Sequence, residues 1–308
     1  MAFQLPNQAM NPANKEPEGR PLRIAYIISA YHKPGMLARL VRHLYDSKDW
    51  FYIHYDLRSP ATEFDWLNNE FKELRNVSLL ERHKCHWGDF GHLSASLKGI
   101  GEIAAAGFQC DYSILLTGQD YPIKSVRTIR QRLYESGVKS HMEATAWPIP
   151  NWEKGRAIKR LENFHIHFSF PKFLSSMGKP FIRQKISIPR KRVLPGGLHP
   201  YFGSGYWCLN RRALKQVYEY AEANPAFVNF FKGCHIPDES FFQTILMNSP
   251  LAGDISTRSL TYVNWRPPWP GILTKSDLSA LMESECLFAR KFDADLDSEV
   301  LDLLDKLE

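Results

Sequence analysis

An acidic pair at the start of a helical segment is the first candidate for catalysis. Asp238 and Glu239 follow Pro237 at the beginning of a predicted helix over residues 237–249. One carboxylate there can take the proton from an attacking hydroxyl as a general base, while the other caps or orients. Acidic residues in a first helical turn are equally well explained by the helix dipole. The pair therefore predicts either a catalytic base or a helix cap.

A basic pair near the C-terminal end is the candidate for stabilising a leaving group. Arg290 and Lys291 lie inside LFARKF, flanked by apolar residues, and Arg266 lies upstream. A departing nucleoside diphosphate gains negative charge, which a metal ion or fixed cationic side chains must stabilise. A solvated surface pair is the alternative, because most Lys and Arg side chains are exposed.

Polar residues follow two predicted buried strands. Asp56 ends the strand over residues 50–56, and Gln119 and Asp120 follow the strand that begins the segment 111–125. In open α/β sheets, ligands bind at the carboxyl ends of the strands. Asp56 can accept hydrogen bonds from a ribose or a base, and planar polar groups such as Gln119 and Asp120 suit a sugar acceptor. The same residue types also favour turns, which is the alternative.

The elements that must position these residues alternate between strand and helix. Residues 23–137 contain apolar strands separated by helices, which predicts βαβ units and a parallel sheet. Further strands and helices follow residue 200. We therefore predict an α/β fold with a Rossmann-like, mostly parallel sheet flanked by helices. Residues 138–200 are rich in basic, aromatic and Pro residues and are predicted to be an insertion that contacts the acceptor or a partner.

A glycine-rich segment opens the strand predicted over residues 203–210. Gly203 and Gly205 lack a Cβ atom, which would let the backbone approach a ligand closely. Tyr206 and Trp207 follow and are candidates for stacking on an acceptor sugar.

Length and composition predict one globular domain without a membrane span. Apolar residues make up 44% of the 308 residues, yet no run approaches the roughly 18 apolar residues that a spanning helix needs. Residues 1–22 are polar and rich in Pro and Asn, which predicts a flexible arm rather than a signal peptide. Five cysteines without a CxxC motif indicate free thiols in a reducing compartment. We expect a cytoplasmic location, including the inner face of the membrane.

No metal or cofactor motif accompanies the candidates. Asp-x-Asp occurs only within residues 293–297, at the start of an acidic, amphipathic tail that is predicted to be a helix over residues 294–308. Neither His83, His86 and His92 nor His165 and His167 have a matching acidic or Cys framework for zinc. We therefore expect no metal ion and no cofactor. The net charge of +6 suits an anionic ligand. The basic run 183–192 could contact anionic lipid, an anionic acceptor or nucleic acid, or be a solvated loop.

Seven segments, taken in order, resemble the core-2/I-branching β-1,6-N-acetylglucosaminyltransferase and peptide O-xylosyltransferase family. They are IAYIISAYHKPGMLARLVRHLY (24–45), YIHYD (52–56), HWGDFGHLSASLKGI (86–100), DYSILLTGQDYPIKS (111–125), GSGYWCLNRRAL (203–214), PDESFFQTIL (237–246) and LFARKFD (287–293). The interior stretch 138–200 contributes no segment to this resemblance.

The resemblance implies a GT-A-type fold, placed here over residues 23–308, that binds a UDP-sugar. It implies inversion at the anomeric carbon without a metal ion. The Glu of the PDE segment, the catalytic base in relatives, corresponds to Glu239. The Lys of the last segment, which binds the diphosphate, corresponds to Lys291, and the strand-end Asp that holds the uridine corresponds to Asp56.

The second diphosphate cation has no direct counterpart. The family places an Arg upstream of the conserved Lys, but counting back without gaps ends at Pro268. Arg266, two residues away, is therefore the candidate, and Arg290 is the reserve. His32, which follows the first strand, completes the donor-binding candidates.

These expectations define one predicted activity and two rivals. The predicted activity is the transfer of GlcNAc or xylose from a UDP-sugar to a hydroxyl of an oligosaccharide, polysaccharide or lipid-linked glycan, with peripheral membrane contact. One rival is a nucleotide- or glycan-binding protein without catalysis. The other is a nucleic-acid binder that uses residues 183–192, whose affinity would fall steeply with salt.

Overall fold

The computed structural model describes residues 21–137, 139–149, 156–171, 181–266 and 269–307. Most of the arm predicted over residues 1–22 lies outside these ranges. Leu22, at the end of that arm, packs against the hydrophobic core, and its carbonyl oxygen accepts a hydrogen bond from Arg130. The domain boundary placed after residue 22 stays a prediction.

Strands and helices alternate over the first half of the chain, as predicted. The strands are β1 Ile24–Ala30, β2 Trp50–Tyr55, β3 Val77–Leu79, β4 Tyr112–Thr117, β5 Asp120–Pro122, β6 Ser140–Met142, β7 Thr145–Ala146, β8 Asn163–Pro171, β9 Phe181–Pro189, β10 Tyr201–Phe202, β11 Trp207–Asn210, β12 Ile255–Ser256, β13 Thr261–Val263, β14 Trp265–Arg266, β15 Trp269–Pro270 and β16 Phe288–Arg290. The α-helices are α1 Pro34–Leu44, α2 Ala61–Phe71, α3 Phe90–Ala105, α4 Val126–Glu135, α5 Arg156–Glu162, α6 Arg211–Ala223, α7 Pro225–Phe231, α8 Phe241–Met247, α9 Leu278–Glu283 and α10 Glu299–Leu304.

A seven-stranded sheet lies at the centre of the described fold, in the order β12-β6-β11-β4-β1-β2-β3. Strands β4, β1, β2 and β3 pair in parallel, whereas β11 runs antiparallel to β4 and β6. Ile24 and Ile28 of β1 pack into one apolar cluster with α1, and Ile27 packs into a second cluster with α3 on the opposite face. Because both faces are covered, the central strands are continuously apolar. The predicted α/β architecture is confirmed.

A small second sheet brings the C-terminal segment to the carboxyl end of β4. It has the order β13-β16-β5, and β5 follows β4 after a two-residue turn. Strand β16 runs antiparallel to β5 with Arg290 opposite Asp120. This register places two candidate residues that are far apart in sequence beside each other.

The stretch 138–200 is not simply an insertion over the sheet, because its first part belongs to the core. Strand β6 lies inside the central sheet between β11 and β12. The other described residues of the stretch include α5 and an antiparallel hairpin of β8 and β9. The missed strand has only three residues, too few to show a period of two.

Two predicted helices near the C-terminal half start later than expected. The segment 237–249 is divided into a 3₁₀ turn, Pro237–Glu239, and the helix α8. The tail, predicted to be helical from residue 294, enters α10 only at Glu299. The backbone N–H groups of Asp295, Leu296 and Asp297 bond to Asp293 instead, which keeps this part of the tail in a turn.

From the composition and the sequence pattern, membrane-spanning helices and disulfide bonds are both expected to be absent. No helix in the described ranges is long and apolar enough to cross a bilayer. All five cysteines are free thiols, and four of them are buried.

Candidate active site

Asp56 lies where the carboxyl ends of β1 and β2 meet, as the sequence predicts. Its backbone N–H donates to the carbonyl oxygen of Ala30 at 2.8 Å. The buried carboxylate accepts hydrogen bonds from the Arg58 guanidinium at 2.6 Å and from the Arg58 backbone N–H at 2.8 Å. Burial alone would raise the pKa of Asp56, but the Arg58 hydrogen bonds and charge lower it below its ordinary value. Asp56 is therefore ionised and paired with Arg58 at the strand edge, and contact between its carboxylate and a uridine stays a prediction.

Asp120 of β5 is paired with Arg290 of the neighbouring strand β16. Arg290 Nε lies 3.0 Å from Asp120 Oδ1, and Asp120 also accepts hydrogen bonds from the backbone N–H of Thr117 at 2.6 Å and its hydroxyl at 2.8 Å. Burial raises the pKa of Asp120, which the Arg290 charge and the Thr117 bonds oppose. Asp120 is completely buried. Its oxygens face protein donors, so Asp120 positions Arg290 and offers no open surface to an acceptor.

Gln119 lies in the turn between β4 and β5. Its backbone contacts residues 290–292, which carry Arg290 and Lys291 and are called the cationic segment below. Its carbonyl oxygen accepts a hydrogen bond from the N–H of Phe292 at 2.9 Å. The side chain is half-buried at the carboxyl end of β4. Contact between Gln119 and an acceptor stays a prediction.

Lys291 follows Arg290 at the end of β16 and is half-buried. Burial and the neighbouring Arg290 charge lower the pKa of Lys291, with Asp120 opposing them. Within the described ranges, no carboxylate lies at ion-pair distance from its amine. Its backbone N–H donates to Gly271 at 3.5 Å. A desolvated ammonium beside a second cation is suited to receiving an anion.

His32 and Arg266 are the other two donor-binding candidates, and they differ in their surroundings. The His32 ring stacks on Tyr31 with a centroid separation of 4.0 Å, and burial, then Lys33, lower its pKa. A smaller effect of Lys291 on His32 places both in one electrostatic neighbourhood. Arg266 packs beside Gly271, but its side chain is 61% exposed and lies 3.5 Å from Asp277.

Glu239 forms an ion pair with Arg160, which the sequence did not suggest. Glu239 ends the 3₁₀ turn, and its Oε2 lies 2.5 Å from Arg160 Nη1. Burial raises the pKa of Glu239, Arg160 lowers it, and the adjacent Asp238 raises it, with a net increase. Burial also raises the pKa of Asp238 to about 6. A carboxylate with a raised pKa and one third of its side chain exposed meets the requirements of a general base.

Tyr206 connects the turn of Glu239 with the cationic segment. A Cβ atom at Gly205 would lie 3.0 Å from Asp238 Oδ2, so the chain passes directly against the acidic turn. The next residue, Tyr206, places its ring 4.5 Å from the Arg290 guanidinium. Glu239 and the cations Arg290 and Lys291 therefore belong to one continuous region of the molecule, although no single contact joins Glu239 to Lys291 in the described residues.

The other residues of the glycine-rich segment contact protein rather than open space. A Cβ at Gly203 would lie 1.8 Å from the carbonyl oxygen of Glu143, so a side chain cannot fit there. Trp207 lies in β11 with 3% of its surface exposed and packs on Phe242 at a centroid distance of 5.3 Å. Stacking of Trp207 on an acceptor sugar, as predicted, is therefore contradicted by its burial, because neither ring face is open.

A loop from β3 to α3 connects the part of the site around Asp56 and Arg58 with the part around the turn of Glu239. His86 Nδ1 lies 3.3 Å from the Arg58 guanidinium, and Gly88 accepts a hydrogen bond from Ile236 at 2.8 Å. Between them, Trp87 is 48% exposed and meets His235 edge-on at 5.5 Å. The segment HWGDFG is one of those that carry the resemblance, but no role followed for Trp87 because an isolated aromatic gives no indication of its exposure.

One group of described side chains comes close enough to hold a metal ion. Ligand atoms of His54, His83 and Cys85 lie within 4.8 Å of one another. His54 Nε2 accepts the backbone N–H of His83 at 3.1 Å, which places the His54 proton on Nδ1, 4.0 Å from the Cys85 sulfur. Burial, with His83, lowers the pKa of His54 to about 3, and burial raises that of Cys85. The donor set fits a neutral hydrogen-bonded cluster better than a cation site.

The Asp-x-Asp residues of the tail are occupied by a protein cation. Lys33 forms ion pairs with Asp293 and, at 2.9 Å, with Asp295. Asp297 accepts the backbone N–H of Lys275 at 2.8 Å. These carboxylates therefore fix the tail against the rest of the domain.

Comparison with known proteins gives a consistent result. The family model described as Core-2/I-branching enzyme matches residues 24–282. The chain is 25% identical over 237 residues to the β-1,3-galactosyl-O-glycosyl-glycoprotein β-1,6-N-acetylglucosaminyltransferase 4 of Mus musculus, covering 77% of this chain and 49% of that protein. It is 25% identical over 319 residues to xylosyltransferase 2 of Canis lupus familiaris, covering 95% of this chain and 34% of that protein.

The chain thus spans about half the length of the first relative and a third of the second. Among solved structures, it is similar to the apo form of mouse xyloside xylosyltransferase 1. That similarity has 14% sequence identity and a TM-score of 0.39, and it covers 87% of this chain and 97% of the other.

Proposed function

Because this chain belongs to the Core-2/I-branching enzyme family, we propose that it transfers GlcNAc or xylose from a UDP-sugar to a glycan hydroxyl. We propose that the reaction inverts the anomeric carbon and uses no metal ion. The observation that carries this proposal is the continuous arrangement of a partly exposed carboxylate, Glu239, and a desolvated cation pair, Arg290 and Lys291, linked through Tyr206.

In the proposed donor complex, the nucleotide lies along the carboxyl edge of the sheet. Asp56 accepts a hydrogen bond from the uridine, and His32 lies nearby. Lys291 and Arg290 contact the diphosphate, where their fixed positive charges stabilise the leaving group without reorganisation during the reaction. Arg290 is favoured over Arg266 as the second cation, because Asp120 and the Tyr206 ring already hold its guanidinium beside Lys291.

In the proposed chemical step, the acceptor hydroxyl lies between Glu239 and the anomeric carbon. Glu239 takes the hydroxyl proton while the acceptor oxygen forms a bond to that carbon. The bond between the carbon and UDP breaks on the opposite face, and its electron pair leaves with UDP. Lys291 and Arg290 neutralise the charge that develops there. The sugar thus ends on the acceptor, the proton on Glu239 and the electron pair on UDP, and the reaction needs no further reactant.

Arg160 serves Glu239 as a positioning residue in this mechanism. Its guanidinium holds the carboxylate in one orientation and favours the ionised form, which is the form that can accept a proton. Burial and Asp238 oppose this effect, so that the carboxylate keeps enough basicity for proton transfer.

The donor and acceptor preferences rest on the relatives. Their names include both N-acetylglucosaminyltransferase and xylosyltransferase, so both sugars are candidate donors. The acceptor class is an oligosaccharide, polysaccharide or lipid-linked glycan. A cytoplasmic location stays a prediction.

A donor panel tests the proposal. The protein is incubated with UDP-GlcNAc, UDP-xylose, UDP-glucose and UDP-galactose, with and without glycan acceptors, and released UDP is measured. We expect UDP-GlcNAc or UDP-xylose to give the fastest release, unchanged by EDTA, with a β-linked product by NMR.

Each contrary outcome contradicts a separate part of the proposal. Activity that is lost in EDTA and restored by Mn²⁺ would contradict metal independence. An α-linked product would contradict inversion. Tight UDP binding without release from any donor would favour the non-catalytic alternative.

A further inference from the structure

The hairpin of β8 and β9 has two chemically different faces. His165 and His167 point inward, where their rings lie 5.4 Å and 5.1 Å from the ring of His235. His165 is further fixed by Ser187 at 2.8 Å. Alternate residues of a strand point to opposite faces, so the neighbours of these histidines face outward.

The outward face of the described part of the hairpin is apolar. Ile166 and Ile186 lie directly opposite each other, and 42% and 50% of their surfaces are exposed. Phe164, on the same face, is 39% exposed, and Val193, just past the hairpin, is 84% exposed. Aliphatic side chains gathered on one exposed strand pair are unusual on a protein surface that faces only water.

Positive charge borders this apolar face. The run 183–192 contains five basic residues and no acidic residue. Arg190 and Lys191 are exposed at the end of β9. Arg192 is already engaged, because its guanidinium lies 4.1 Å from the Phe230 ring and donates to the Phe230 carbonyl oxygen. The free basic groups are therefore next to the apolar face rather than part of the packing beneath it.

We infer that the outer face of this hairpin docks on an anionic lipid bilayer, with Ile166 and Ile186 in the interface and Arg190 and Lys191 at the headgroups. Apolar side chains bordered by cations are the combination that binds anionic bilayers peripherally. A second copy of the chain is disfavoured, because a symmetric contact through this face would bring two basic runs together. An anionic glycan or nucleic acid would leave the isoleucines without apolar contacts.

The hairpin is directly connected to the candidate catalytic base. Helix α5 precedes β8 without a break and carries Arg160, which pairs with Glu239. Docking of the outer face would therefore hold the bilayer near the entrance for an acceptor, which suits a lipid-linked glycan. This last step rests on the proposed function, whereas the docking itself does not.

Vesicle flotation tests the inference with the full chain. Vesicles of phosphatidylcholine alone are compared with vesicles that also contain phosphatidylglycerol, at low and high salt. We expect flotation with the anionic vesicles and its loss at high salt. Arg190→Gln together with Lys191→Gln should weaken anionic partitioning about 20- to 30-fold. Ile166→Ser together with Ile186→Ser should weaken partitioning at least tenfold.

Matched surface variants provide the controls. Leu296→Ser removes another exposed apolar side chain, and Arg212→Gln with Lys215→Gln removes two exposed basic groups on α6. These variants should float like the unmodified chain, and all variants should keep its melting temperature. UDP release without lipid should be unchanged in the hairpin variants, which separates failure of docking from failure of the proposed reaction.

Three results would overturn the inference. The first is no flotation of the chain with either vesicle type, and the second is flotation of the hairpin variants equal to that of the controls. The third is a concentration-dependent dimer, measured by ultracentrifugation, that the isoleucine variants abolish while no vesicle binding occurs. That result would make the face a contact between copies of the chain.

Discussion

Two arginine–carboxylate pairs of the candidate site, Asp120 with Arg290 and Glu239 with Arg160, differ in how much water reaches them. Asp120 is fully buried, and the Arg290 side chain is 15% exposed. Glu239 and Arg160 keep 34% and 22% of their side chains exposed. Asp120 also accepts two hydrogen bonds from Thr117, so its oxygens are turned inward.

This difference in exposure distinguishes a pair with a structural role from a pair that could take part in the reaction. A buried pair with all its oxygens engaged is costly to disturb, because an uncompensated charge would remain in a low-dielectric environment. A pair that is about a quarter to a third exposed can exchange one partner for water or a ligand at lower cost. A carboxylate and a guanidinium form both pairs. In the buried pair, Asp120 positions Arg290, whereas in the partly exposed pair Glu239 stays available as a proton acceptor.

Glu239→Gln should have the largest effect on catalysis. The amide cannot take the acceptor proton, so we expect kcat to fall about 10²–10⁴-fold. The dissociation constant for UDP, measured by calorimetry, should stay unchanged. Glu222→Gln, an exposed position on α6, is the control. Full activity of the Glu239 variant would remove this residue from the role of base.

Asp120→Asn should have the largest effect on stability. The change leaves Arg290 buried without a counter-charge, so we expect the free energy of unfolding in urea to fall by about 3–5 kcal/mol. Arg160→Gln should lower it by only about 0–1 kcal/mol, because that pair is open to solvent. Equal losses in the two variants would contradict the distinction between the buried and the exposed pair.

Local patterns account for the residues that the sequence located well. Continuous apolar runs identified β1, β2 and β4, and the ends of parallel strands share one edge of a sheet. Asp56 could therefore be assigned to that edge from the sequence alone. The acidic turn before α8 was also recognisable, because Pro followed by two acidic residues marks a helix start.

Long-range pairing accounts for what the sequence could not reveal. Arg160 meets Glu239 across 79 positions, and Arg290 meets Asp120 across 170. Nothing local in α5 distinguishes Arg160 from the other basic residues of that stretch. The sequence also could not distinguish half-buried Tyr206 from buried Trp207, because adjacent aromatic residues give no local sign of which one the sheet covers.

Lys291→Gln tests whether the cations beside the buried pair stabilise the leaving group. We expect kcat to fall about 10²–10³-fold, because a fixed charge on the leaving group is lost, and UDP binding to weaken. Arg266→Gln should change kcat little, because that side chain is mostly exposed. A loss in the Arg266 variant as large as in the Lys291 variant would make Arg266 the second cation instead of Arg290.

Lys291 also predicts a basic limit to activity. Lys291 must be protonated to neutralise UDP, and burial and Arg290 lower its pKa. The activity should therefore decline as the pH rises through a value below that of an ordinary lysine. Lys291→Arg should move this decline to higher pH, because a guanidinium stays protonated. Rate profiles of UDP release against pH measure both variants, and an unchanged basic limb in the arginine variant would contradict the assignment.

Arg160→Gln should have the smallest but most diagnostic effect. Glu239 must be ionised to act as a base, so kcat falls when the pH drops below its pKa. Arg160 favours the ionised form, and removing it should raise the pKa of Glu239. The acidic limb of the kcat profile should therefore move to higher pH while the plateau at higher pH changes less, and Arg160→Lys should restore much of the original profile. A uniform loss of kcat at every pH would indicate that Arg160 only supports the fold around α5. That outcome would leave the exposed pair without the electrostatic role that distinguishes it from the buried one.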